Sequence, residues 1–371
     1  MNATAEMKPA STIALWKDDA ALVQKHYRDW WDRKGMVLNL SGPVQNRKLP
    51  RDPMPDPGPA KSHRDQVIDV DWVSRTQRYR LSRRNYPADN LPIAVPSIGP
   101  GSLALYLGSQ PGFEATTVWY DSCIEDIEKH PPLVFDPDAP WCRTQEALVA
   151  ACVRLSKGEY LTGCPDLIEN IDILASLRGN ETLMVDMLES PEWVKEKVAE
   201  INGVFFRAYQ RIYDLIQAPD GSSAWAHFDL WGDGKTAKLQ CDASAMFSTA
   251  MLSEFVVPAL TEQCAWLDHS MYHLDGTQCI PHLDALLEVE PLDAIEWTPQ
   301  AGLEHGGHRR WWPMYKRILD AGKSVQIIPA KKEEVVPLLD AIGGKGVFLY
   351  VGGVQDEGEA EAMIRAVEPY R

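Results

Sequence analysis

A chain of 371 residues with 45% hydrophobic content can bury the core of one large α/β domain or of two ordinary ones. Its formal net charge of −16 excludes a polyanionic partner, since nucleic acid and anionic membrane surfaces are held by clustered Lys and Arg, and it leaves a small molecule as the expected ligand. Met1 to Ile13 has no apolar targeting core, no later stretch approaches the roughly 18 apolar residues of a membrane span, and the seven cysteines form no CxxC, so the expected setting is cytoplasmic and reducing.

Between residues 14 and 34, Leu15, Trp16, Leu22, Val23, Tyr27 and Trp30 recur at helical spacing, and Met36-Val37-Leu38-Asn39-Leu40 then reads as a first strand closed by Ser41-Gly42-Pro43. From Asn46 to Lys61 proline and charge are too dense for regular structure, which predicts a surface loop. Arg75, Arg78, Arg80, Arg83 and Arg84 follow as a solvated helix face, and one of them turned inward would suit a carboxylate. Leu91 to Pro96 is a second strand, turned by Ser97-Ile98-Gly99-Pro100-Gly101-Ser102 into an apolar helix, and Thr116 to Asp121 is an inserted strand in an excursion that runs to Trp141. A helix near Gln145 to Leu155 leads to a third strand at Tyr160 to Asp166. Ser190-Pro191 opens the clearest helix of the chain, whose Val194, Val198, Ile201, Phe205, Ala208, Ile212 and Leu215 form one packing stripe.

Ala224 to Asp229 reads as a fourth strand with Leu230 to Gly234 as its loop, and Ser248 to Leu267 as a helix bent by Pro258. Ser270 to Gly276 is the fifth strand; strands at Ala294 to Trp297, Ser324 to Ile328 and Gly346 to Val351 then alternate with helices. This rhythm predicts one α/β domain closed as a single (β/α)₈ TIM barrel, in which residues 1 to 90 supply the first strand and an irregular wrapping segment.

Side chains two apart on a strand share a face, so His273 and Asp275 project together at the carboxyl end of the fifth strand, where such folds hold their chemistry. His227 and Asp229 repeat the arrangement on the fourth. A single pair of this kind is equally a satisfied hydrogen-bonded couple; two pairs on neighbouring strands point to one cavity. Tyr272, Glu296 and Cys241 are its expected secondary members, while Trp231 and His308, the latter in the Gly302 to His308 loop, are expected to reach substrate from the rim. Trp119, Trp231, Trp297, Trp311 and Trp312 at rim positions suggest an aromatic-walled pocket.

Thr162-Gly163-Cys164-Pro165-Asp166-Leu167, Leu188 to Val194, Phe247 to Leu260 and His273-Leu274-Asp275-Gly276 resemble the uroporphyrinogen decarboxylase superfamily, which includes zinc-dependent methyltransferases that serve corrinoid proteins and coenzyme M. The resemblance covers roughly residues 90 to 371 and implies a (β/α)₈ barrel with its pocket at the strand carboxyl ends. Where the decarboxylase has an Arg-Gln-Ala-Gly-Arg signature, the first strand here gives Asn39-Leu40-Ser41-Gly42-Pro43, which argues against uroporphyrinogen as substrate. The methyltransferase branch holds zinc with a His-x-Cys on the fifth strand and a Cys after the eighth; here the pattern is His273-x-Asp275, and the eighth strand ends Gly352-Gly353-Val354. The resemblance therefore implies methyl transfer between a small molecule and a corrinoid or thiol acceptor, the corrinoid being carried by a partner protein. Zinc, if held, would take His273, Asp275 and one of Cys241, Cys279 and Glu296. A carboxylate in place of a thiolate suits thiol activation less well. Decarboxylase or lyase chemistry on a small carboxylate, with His273 or His227 protonating a carbanion, and ligand binding without turnover remain open.

Overall fold

The computed structural model describes residues 15–42 and 54–371, so the amino-terminal stretch to Ile13 and the first half of the Pro-rich loop lie outside the described residues. Helix α1 (Ala20–Trp31) buries Val23, Tyr27, Trp30 and Trp31, worth roughly 1.5–3 kcal/mol each, and runs into the fully buried β1 (Met36–Leu40). After the irregular 54–61 segment, α2 (His63–Ile68) and α3 (Val70–Ser82) each begin with a side-chain cap, Ser62 accepting from Asp65 N and Asp69 from Trp72 N. The chain continues through β2 (Ile93–Ala94), α4 (Leu103–Tyr106) and an antiparallel hairpin of β3 (Pro111–Phe113) and β4 (Val118–Tyr120). Next come α5 (Pro140–Ser156), β5 (Leu161–Thr162), α6 (Asn170–Arg178), α7 (Asn180–Glu189) and the 26-residue α8 (Pro191–Ile216). The second half comprises β6 (Ser223–Trp225), β7 (Leu230–Gly232), β8 (Thr236–Gln240), α9 (Thr249–Phe255), α10 (Val257–Trp266), β9 (His269–Asp275), α11 (Leu283–Leu287), β10 (Ala294–Thr298), α12 (Trp312–Asp320), β11 (Ser324–Ala330), α13 (Val335–Ile342), β12 (Val347–Val351) and α14 (Glu357–Val367).

Six parallel strands make the main sheet, in the order β1-β12-β11-β10-β9-β8. Their register sets one lateral row of inner-face residues, Gln240, His273, Glu296, Gln326 and Phe348. Tyr27 and Trp30 of α1 meet Phe348 edge-on, with ring centroids 5.6 and 5.3 Å away, so α1 closes this face from one end.

The remaining wall is looser. Strands β2 and β5 form a separate parallel pair, and Cys164 bridges to Trp225 of β6. At the other seam, side chains stand in for a ladder: Asp89 Oδ2 accepts from Leu38 N at 2.7 Å and Asn90 Oδ1 from Leu40 N at 2.8 Å. The fold is thus barrel-like α/β, and among the described residues no continuous ladder closes it.

The predicted fourth strand takes a different course. β6 ends at Trp225, and after a turn in which Phe228 and Asp229 have φ of 66° and 51° the chain returns as the antiparallel β7. The strand that pairs with β9 is β8, whose Thr-Ala-Lys-Leu-Gln sequence hides its burial because Lys238 and Gln240 face inward. Gly163 makes the close approach possible: a Cβ there would lie 2.6 Å from the Ala226 backbone. The turn is pinned across the inner face by Tyr27 Oη, which donates to Asp229 O at 2.6 Å, and by Gln326 Nε2, which donates to Phe228 O at 2.8 Å.

Candidate functional site

Because β9 is extended, His273 and Asp275 emerge on one face at its carboxyl end. The neighbouring chain after β8 is held by α6: Asp172 accepts from Asp242 N at 2.8 Å and Ala243 N at 2.9 Å, and buried Glu169 accepts from Gln240 N at 2.7 Å. These bonds turn Asp242 toward β9. Each of Asp242, His273 and Asp275 then offers one ligand atom, all within 4.8 Å of one another. His273 Nδ1 is hydrogen-bonded to Glu296, which is completely buried and also accepts from Thr298 Oγ1 at 2.7 Å. A carboxylate on one ring nitrogen fixes the orientation of the other, an arrangement typical of ligating histidines.

The electrostatics favour a cation. Desolvation and the adjoining Asp172 carboxylate raise Asp242 to about 6, while His273 and Lys238 pull the other way. Burial disfavours charge on His273, but the field and hydrogen bond of Glu296 outweigh it and raise the imidazole's pKa. Below this row, Lys238 has no exposed surface and pairs with Asp166 at 2.8 Å. Glu169 is raised by burial to about 8 and so holds its proton at neutral pH. The two aspartates and one imidazole are a donor set that would suit a divalent ion of the zinc class.

That cavity has a volume of about 670 Å³, and Asp166, Asp172, His227, Phe228, Asp242 and His273 are in its wall. From the expected set, His227 and His273 share this wall, joined by Asp242, while Asp275 stands beside His273 and Asp242 without lining the cavity. Desolvation lowers the His227 pKa, so the imidazole is neutral, and its Nε2 is buried without a hydrogen-bond partner among the described residues. Asp229 turns away from Asp242, His273 and Asp275 into a separate cavity of about 420 Å³ beside Leu40, Arg84 and Tyr350; burial raises it to about 6.

The other expected members are dispersed by simple geometry. Cys241 is buried, its thiol pushed well up by desolvation, and its neighbour Asp242 supplies the third donor in its place. Tyr272, one residue from His273 on the strand, is buried on the opposite face. Trp231 is fully buried against α1, 6.2 Å from the Tyr27 ring with the Arg28 guanidinium over its own ring. His308 lines a different surface cavity with Glu304, Arg310 and Lys331. Trp297 and Trp311 pack on each other at 4.9 Å in the core, and Trp119 is solvent-exposed, so the predicted tryptophan wall is not formed. Asp172, Glu169 and the Lys238–Asp166 pair have no assignment from the sequence, and Asp242 reads there only as the cap of the next helix; the signal available for them was a lysine and a glutamine alternating with alanine and leucine directly before Cys241-Asp242.

The chain matches no protein-family model, and no curated protein is similar to it. Among solved structures it is similar to a methyltransferase from Methanosarcina mazei, with a TM-score of 0.59 over 94% of this chain and 98% of that one. The two sequences are 8% identical. The likeness is one of fold. It agrees with a barrel-like α/β architecture. Asp242, His273 and Asp275 converge at the strand carboxyl ends, where folds of this kind hold their chemistry. No helix among the described residues is long and apolar enough to cross a membrane, and all seven cysteines are unpaired.

Proposed function

We propose that this protein is a metal-dependent methyltransferase that moves a methyl group between a small molecule and a corrinoid or thiol acceptor. The reading rests on the convergence of Asp242, His273 and Asp275 on one point at the strand carboxyl ends, with Glu296 behind His273. The likeness in fold to a methyltransferase agrees with it. A divalent ion, zinc in the first instance, would supply Lewis acidity to a heteroatom of the methyl donor, and two carboxylate ligands leave it harder than a thiolate set would. The chain's own residues bind and orient. Glu296 fixes the His273 ring, Asp172 holds the Asp242 loop, and Phe228, with its ring 4.8 Å from that of His273, walls one side against water. His227, neutral and unpartnered at Nε2, is placed to hydrogen-bond a substrate atom.

A second reading keeps the same cavity for decarboxylase or lyase chemistry. It is favoured by the buried Lys238–Asp166 pair beside His227, which offers a positive charge and a proton-handling ring together. The deciding experiment follows methylcob(III)alamin with candidate thiols and zinc, reading the loss of the methyl–cobalt absorbance. Demethylation that disappears in His273→Ala supports methyl transfer. No demethylation with zinc bound, together with carbon dioxide release from a small carboxylate, would transfer the assignment to the second reading.

A further inference from the structure

His227 borders two cavities. Besides the 670 Å³ metal cavity it lines another of about 800 Å³, and Pro100 is likewise in both walls, so the two chambers adjoin at this pair. The second chamber is built from the two excursions that the site has otherwise left unexplained. One is the end of the Pro-rich segment, fixed by Trp72 Nε1 donating to Gly58 O at 3.0 Å; the other is the β3–β4 hairpin, which contributes Glu114 to Val118. A third side comes from α3.

The character of the walls identifies the kind of occupant. Trp72, Tyr79, Val67, Val95 and Val118 are partly covered and give one part of the interior an apolar, aromatic character, whereas the charged residues Asp56, Arg80 and Glu114 are solvent-exposed. Within the chamber, Thr76 is only 5% exposed, and its Oγ1 has no hydrogen-bond partner among the described residues. A buried hydroxyl without a partner costs free energy unless a ligand or water satisfies it. At the junction, His227 Nε2 is in the same condition. Two unsatisfied polar atoms beside these rings and valines, in a wall that also carries the uncharged Gln66, Ser97, Thr116 and Thr117, match an uncharged ring-containing body with several hydrogen-bonding atoms.

We propose that this second chamber is a binding site for an uncharged, ring-containing organic molecule, held between Trp72 and Tyr79 with a polar atom on Thr76, and that the molecule extends past His227 into the metal cavity. The direction of that extension rests on the function proposed above; occupancy of the chamber does not.

The test uses the full chain and N-phenyl-1-naphthylamine, a neutral fluorophore that joins a naphthalene to a phenyl ring and whose emission rises in apolar surroundings. The wild type should bind it and release it to indole but not to citrate, a compact polyanion. Val118→Trp, which fills the chamber from the hairpin, should weaken binding at least tenfold while zinc is still bound, and Thr76→Val should weaken it a few-fold. Ala115→Trp, at an exposed position on the same hairpin, provides the filling variant if Val118→Trp does not fold. Asp275→Asn should leave fluorophore binding intact, so that failure of the metal reading and failure of this one are told apart. A groove formed by Phe135, Phe206 and Trp266 on the far side of α8 is the competing location. No binding by the wild type, displacement by citrate in preference to indole, or binding lost in Phe135→Ala and kept in both filling variants overturns the proposal.

Discussion

His273-Leu274-Asp275 lies in an extended strand, and its two polar side chains share the inner face. His227-Phe228-Asp229 has the same spacing, but Phe228 and Asp229 adopt left-handed backbone angles, so His227 enters the cavity that His273 lines and Asp229 a different one. Spacing in sequence thus carries geometric meaning only through the backbone that realises it. Each non-glycine residue at positive φ costs on the order of 1–3 kcal/mol, and here the hydrogen bonds from Tyr27 and Gln326 to the turn's carbonyls help to offset it. The regular pair is placed by sheet register, and the irregular pair by contacts reaching in from β11 and α1.

The strongest way to break this comparison is to exchange the two histidines' fates. Metal analysis of protein purified without chelator should give zinc near one per chain in the wild type and in His227→Ala, and near zero in His273→Ala. Equal loss in both variants would mean that the turn supplies a ligand after all.

The next effect tests how the wall under the turn is held. Lys238→Met leaves Asp166 buried without its cation, and denaturant unfolding should show a loss of about 3–5 kcal/mol. A loss below about 1 kcal/mol would show that the pair contributes little to the fold.

Glu169 gives a pH-dependent counterpart. Its carboxyl is raised from 4.5 to about 8 by burial, so the folded chain keeps a proton that the unfolded chain has released across that interval. Its contribution to stability is therefore greatest below pH 4.5, falls as pH rises to about 8, and is flat above; the span is on the order of 5 kcal/mol. Glu169→Gln retains an acceptor for Gln240 N, so the difference between its stability–pH curve and the wild-type curve should trace this decline. Parallel curves would show that the group is ionised throughout.

The smallest expected effect sharpens the regular pair. Glu296→Gln removes the charge that orients His273 and should weaken zinc binding by about 10–100-fold, read by competition with a chromogenic chelator, with the fold intact. Unchanged affinity would detach Glu296 from the metal site.

The strands β1, β9, β10, β11 and β12 were legible because each is a short apolar run at or near its observed bounds, and α8 because its apolar stripe and opening Pro191 leave little choice. Pro258 divides the predicted helix as expected, at the boundary of α9 and α10. β8 escaped because a strand facing a polar interior carries lysine and glutamine where a packed core would carry aliphatics. The same cause hid Asp242: its position depends on α6 side chains some 70 residues earlier, a relation that local pattern cannot express. His273 and Asp275 could be found because one strand is enough to place both.

The pairing of β1 with β12 has a consequence for biosynthesis. Met36 lies opposite Val347, 311 positions later in the chain, and on its other side β1 is met by a single backbone bridge, Asn39 to Ala88, and by the Asp89 and Asn90 side chains. At translation rates of about 5–20 residues per second, β1 emerges from the ribosome about 15–60 s before its partner strand exists. For that interval five apolar or amide residues, Met-Val-Leu-Asn-Leu, present an open edge to solvent or to a neighbouring nascent chain. The length of that wait makes the amino-terminal strand the point at which a holdase chaperone would most improve the yield of native protein.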